Sequence, residues 1–155
     1  MESIGKCSFS FILRIITDGC IIVNAATLIT LPWLAKYIVF ILSRSFIEYE
    51  PYEFVLVFLY ICGILSFGIL IQGHRILRTL EQNRPFDPAN SKRFFRVGIL
   101  CFFIAVAFFG KIFMFNTLLT LVATGLFAVA CLVSLILADV FAKAAKIWEE
   151  HQLTV

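Results

Sequence analysis

Four apolar runs, at about residues 11–31, 54–71, 97–115 and 118–138, interrupt this chain at close intervals and carry very little charge. Roughly 20 apolar residues cross a bilayer's hydrocarbon as one helix. A helix is the form that pairs each backbone N–H and C=O within a single such segment. Hydrophobic residues make up 61% of the 155-residue chain and charged residues 15%, against about 45–50% and about 25% in soluble domains. A globule this small leaves much of its area in water, so the apolar surplus must face lipid. The runs therefore predict an all-α chain. They predict a four-helix transmembrane bundle, threaded up-down-up-down, as a single integral membrane domain over residues 1–155. Arg14 and Asp18 lie inside the first run and no A-x-A-like cleavage site closes it. It is expected to be a span rather than a signal peptide.

Cations set the expected orientation. Four spans put both termini on one side, with Lys6, Arg14, Arg75, Arg78, Arg84, Lys92, Arg93, Arg96, Lys143 and Lys146. The opposite side has only Lys36, Arg44 and Lys111, together with Glu48, Glu50 and Glu53. Ten cations against three make the termini and the 72–96 hairpin cytoplasmic. The net charge of +3 is too small to mark a nucleic-acid surface, so the bilayer is the expected partner and no direct nucleic-acid contact is expected.

Residues 33–53 are too apolar for a free loop, and Pro32 offers a break. The expectation is a short helix at the outer interface, with a lid over the bundle as the alternative. In the hairpin, Asp87-Pro88 has the chemistry of a helix start. The aspartate accepts from orphan N–H groups, and proline lacks a donor that would be orphaned in the first turn anyway. The pattern H-R-I-L-R-T-L-E-Q-N keeps Ile76, Leu77 and Leu80 at helical spacing until Arg84-Pro85. The 139–155 tail has no breaker before its last residues. Helices two, three and four are thus expected to extend into the cytoplasm.

Steps of 100° per residue put Thr117, Ala128 and Asp139 on one face of the last helix, with Thr120, Thr124, Cys131 and Leu135. Small and hydroxylated residues line membrane helix contacts. That face is expected inward, with Asp139 in a structural ion pair to Arg14, Arg75, Arg78 or Arg96. The first helix has a polar stripe of Thr17, Cys20, Asn24 and Thr27, and Asp18 stands four residues from Arg14. The five cysteines are scattered through apolar runs and read as packing residues. Neither His74 nor His151 has metal-ligand spacing, and no nucleophile, phosphate-loop or zincin motif stands out. No catalytic, cofactor-binding or metal-binding residues are expected.

The stretch P-F-D-P-A-N-S-K-R-F-F-R-V-G between spans two and three, and the ending D-V-F-A-K-A-A-K-I-W-E-E-H-Q-L-T-V, resemble a bacterial four-span membrane family of unknown function, DUF2975. The matching residues are Pro85-Phe86, Asn90, Arg96-Val97-Gly98, Phe141, Glu149-Glu150 and Leu153-Thr154-Val155, while Ala144 stands where relatives often have glycine. The resemblance implies a bacterial inner membrane and no known catalysis. Relatives are often encoded beside a small helix-turn-helix regulator. The leading expectation is a non-enzymatic interaction or regulatory protein that docks a cytoplasmic partner, such as that regulator, through Arg78, Phe86, Arg93, Arg96, Trp148, Leu153 and Val155. The alternative is a small transport or immunity protein handling a lipid or peptide between its helices. Self-association is left open.

Overall fold

The computed structural model describes residues 3–43, 51–81, 87–114 and 118–153. The described residues form four helices and no strand: α1 (Ser3–Ser43), α2 (Tyr52–Glu81), α3 (Pro88–Met114) and α4 (Leu118–Leu153). Each is long and apolar enough to cross a membrane.

The boundaries follow local chemistry where it is strong. At the start of α3 the Asp87 carboxylate accepts from the Ala89 N–H at 2.8 Å. Its carbonyl accepts from the Asn90 N–H, also at 2.8 Å. Pro88 is the first helical residue. This is the cap that the sequence implies.

Pro32 behaves differently from expectation. α1 is helical straight through it to Ser43, so residues 33–43 are not a separate interfacial helix or lid. Residues 44–50 lie outside the described residues. Proline deletes one backbone donor, whereas ending the helix among apolar side chains would orphan several donors and acceptors. The Tyr52 hydroxyl at the start of α2 donates to the Pro32 carbonyl at 3.2 Å.

Close approaches join α1 to α2, α2 to α3 and α3 to α4, and no other pair among the described residues. Small residues make these approaches. A Cβ on Gly63 would stand 2.7 Å from the Leu28 side chain, and one on Gly98 would stand 2.8 Å from Leu135. Ala35, Cys101, Cys131, Ala138 and Ala145 are buried. Aromatic contacts fill the wider gaps: Phe58 against Phe108, Phe94 against Phe141 and Phe108 against Phe127. The outside is apolar, with Ile29, Trp33, Phe113, Leu118 and Leu119 all largely exposed. So much contiguous apolar surface marks a lipid-facing exterior.

On α4 the face that 11-residue steps suggest is inward only in part: Thr120 is buried, as is Cys131 eleven residues on. Cys131, Ala138 and Ala145 are buried, whereas Ala128 and Asp139 are exposed. From Cys131 onward the buried positions repeat every seven residues, the step of helices that wrap left-handedly around a neighbour. From Cys131 a seven-residue step turns about −20°, but the eight residues to Asp139 turn about 80°. The same spacing that buries Ala138 therefore carries Asp139 out of the contact.

Candidate functional site

Most of the charged and hydrogen-bonding side chains gather at one end of the helices. This end comprises the N-terminal part of α1, the C-terminal turns of α2 and α4, and the first turns of α3. It is built from three ties between successive helices.

The first tie joins α1 to α2. The Arg14 guanidinium donates to Glu81 Oε2 at 2.8 Å, and its Nε lies 3.9 Å from Asp18. Asp18 Oδ1 is in turn 2.6 Å from His74 Nδ1, a close contact without the alignment of a hydrogen bond. Two cationic or protonatable groups thus alternate with two carboxylates. Such a set holds two helices in register. The Asp18–Arg14 pairing is readable from the four-residue spacing. Glu81 and His74 are not, because they lie more than 50 residues away; matching predicted membrane depth is the signal that could have found them.

The second tie joins α2 to α3. Arg93 donates to the Arg75 carbonyl at 3.0 Å, to the Thr79 hydroxyl and to Asn90 Oδ1 at 2.9 Å. Asn90 is fully buried and Thr79 nearly so. Arg93, one of the expected partner-binding residues, is half-buried here, on backbone and side-chain acceptors of its neighbours. The third tie joins α3 to α4, with Ser91 Oγ donating to the Ala138 carbonyl at 2.8 Å beside the Phe94–Phe141 stack.

Asp139 is placed differently from expectation. Its side chain is 63% exposed and pairs with Lys143, one turn on, at 2.7 Å. None of the arginines Arg14, Arg75, Arg78 or Arg96 forms an ion pair with it among the described residues. An exposed pair of this kind contributes roughly 0–1 kcal/mol, so the small-residue seam, not this pair, holds α4. Arg96 does line the same α3–α4 groove as Asp139.

The other expected docking residues divide. Arg78, Arg96 and Trp148 are exposed. α4 runs to Leu153. Phe86 and Val155 lie outside the described residues. The Ser91–Ala138 contact aligns α3 with α4, so Pro88 stands near Phe141–Ala142. α4 therefore continues beyond the start of α3 by about ten residues, about 15 Å of helix, on which Ile147 and Trp148 are 57% and 55% exposed.

Among the described residues no three histidine, cysteine or acidic side chains gather as metal ligands. A family model described as "Protein of unknown function (DUF2975)" matches residues 26–155. No curated protein and no solved structure is detectably similar.

Proposed function

Because the chain belongs to the DUF2975 family, whose description names no chemistry, we propose a function from the geometry: a non-enzymatic, multi-pass membrane protein that docks a cytoplasmic partner protein at the end of α4. The four helices thread the bacterial inner membrane up-down-up-down, and both termini are cytoplasmic. Ten of thirteen cations on one side support that orientation. The observation that carries the docking role is the length of α4. A 30-residue α2 and a 27-residue α3 are about 40–45 Å long, close to the full bilayer with its headgroups. The 36-residue α4 is about 54 Å long and exceeds it, as does the 41-residue α1 at about 62 Å. Spanning does not need that extra length. The exposed Ile147 and Trp148 of α4, and the exposed Arg78 of α2, are the aromatic and Arg chemistry that anchors protein interfaces. A helix-turn-helix regulator held at the membrane is the partner that fits a non-catalytic role.

The test compares the parent with Trp148→Ala and Arg78→Gln in a pull-down from native membranes. The expected result is a partner recovered by the parent and lost by Trp148→Ala, with insertion unchanged. Equal recovery by all three removes the docking role.

A second reading, a carrier of a lipid or peptide, has one observation in its favour. A groove of about 590 Å³ runs between α1 and α2 and reaches Phe127 of α4. Asn24 lines it, and its Oδ1 is buried without a hydrogen-bond partner. Such a carbonyl oxygen would accept from a bound donor. Asn24→Leu should abolish that reading's transport or protection phenotype and leave partner recovery intact.

A further inference from the structure

Between α3 and α4, next to the buried seam, lies a groove of about 560 Å³. Lys92, Phe95 and Arg96 line one wall, and Ala138, Asp139 and Ala142 the other. Its charge is uneven. Lys92 and Arg96 are exposed and one turn apart, so they share a face. Neither has a carboxylate partner among the described residues. The one carboxylate of the groove, on Asp139, is engaged by Lys143 at 2.7 Å. Three cations less one carboxylate leave a local charge of +2.

Position matters as much as charge. Arg96 immediately precedes the apolar run that begins at Val97, and Lys92 lies about 6 Å further out along the helix. The cations therefore sit where hydrocarbon meets headgroups. The groove also has an apolar lining, with Phe95 53% exposed at the depth of the two cations and Leu135 on the facing wall. The cations suit a phosphate, and Phe95 and Leu135 suit an alkyl chain.

We propose that this groove is a binding site for an anionic phospholipid, with its phosphate held between Lys92 and Arg96 and an acyl chain lying over Phe95 and Leu135. Basic pockets between membrane helices at the cytoplasmic face hold anionic headgroups in this way. A zwitterionic lipid would bring an ammonium group against a +2 site. Free phosphate would answer the cations and leave the apolar lining uncovered. The site rests on the membrane reading of the chain. It does not need the inside–outside assignment, because it can be measured where both leaflets are alike.

The experiment titrates the purified full chain in detergent with phosphatidylglycerol, phosphatidylcholine and inorganic phosphate. Retained lipid is counted by native mass spectrometry. Three variants are compared, each checked for helicity and monodispersity. Lys92→Gln/Arg96→Gln removes the phosphate cradle. Ala142→Trp fills the groove at constant charge. Arg75→Gln/Lys146→Gln removes two cations elsewhere. A cation near an anionic surface is worth roughly a fivefold change in affinity. The first variant should therefore bind phosphatidylglycerol about 25-fold more weakly. The filled groove should also lose the lipid, and the remote variant should keep it. Diffuse attraction predicts equal loss from the two charge variants and none from Ala142→Trp. That pattern overturns the site, as does equal retention of phosphatidylcholine or saturation by inorganic phosphate alone.

Discussion

At the residue scale, three side chains carry separable expectations. Asp87 caps α3 through the Ala89 N–H, so Asp87→Ala should cost about 0.5–2 kcal/mol of helix stability, and Asp87→Asn close to nothing. Thermal unfolding in detergent, followed by helical circular dichroism, reads the difference. Arg93 serves three acceptors at the α2–α3 contact. Arg93→Lys keeps the charge but loses the fork, and Arg93→Ala also strips a partner from buried Asn90, at about 1–3 kcal/mol. Charge alone would leave Arg93→Lys at parent stability; the geometry predicts it falls between parent and Arg93→Ala. Gly98 faces the Leu135 side chain, with the Cys131 carbonyl behind it at 3.6 Å from a built Cβ. Gly98→Ala moves only a flexible leucine end. Gly98→Leu overfills the contact and should cost about 1–3 kcal/mol. These residues also show what a sequence can disclose. Asp87-Pro88 is legible because a cap is made within three residues. The partners of Arg14 and Arg93 are not, because Glu81 and Thr79 meet them only after the helices pack. Asp139 lies outward because the eleven-residue step that joins buried Thr120 to Cys131 gives way, beyond Cys131, to a seven-residue seam through Ala138 and Ala145.

At the element scale, α1 and α4 depart most from a simple reading by spans. Four long apolar helices are legible from the runs alone, since hydropathy and length decide them. The ends are less so, because proline's local penalty competes with the larger need to pair backbone in an apolar setting. Pro32 sits mid-helix. Pro32→Ala should therefore leave α1 continuous and raise stability modestly, as restoring an internal hydrogen bond does. A loss of folded protein on this change would show that the helix depends on the proline for its course past α2. The Tyr52–Pro32 contact should survive, since it uses the carbonyl and not the missing donor.

At the scale of the whole molecule, the arrangement is serial: each helix packs on the next in sequence, and α1 meets only α2 among the described residues. The polar ties lie at one end and the apolar flanks elsewhere, which gives the molecule two unlike ends. The proposed function requires that the tied end, with the α4 overhang, face the cytoplasm. The most direct test places single cysteines at Glu53 and at Glu149, both exposed, in a background without the five native cysteines. A membrane-impermeant thiol reagent is then applied to intact cells and to inverted vesicles. The expected result is labelling at Glu53 from outside only and at Glu149 from inside only. Labelling of Glu149 on intact cells, or of both positions from the same side, would contradict the account.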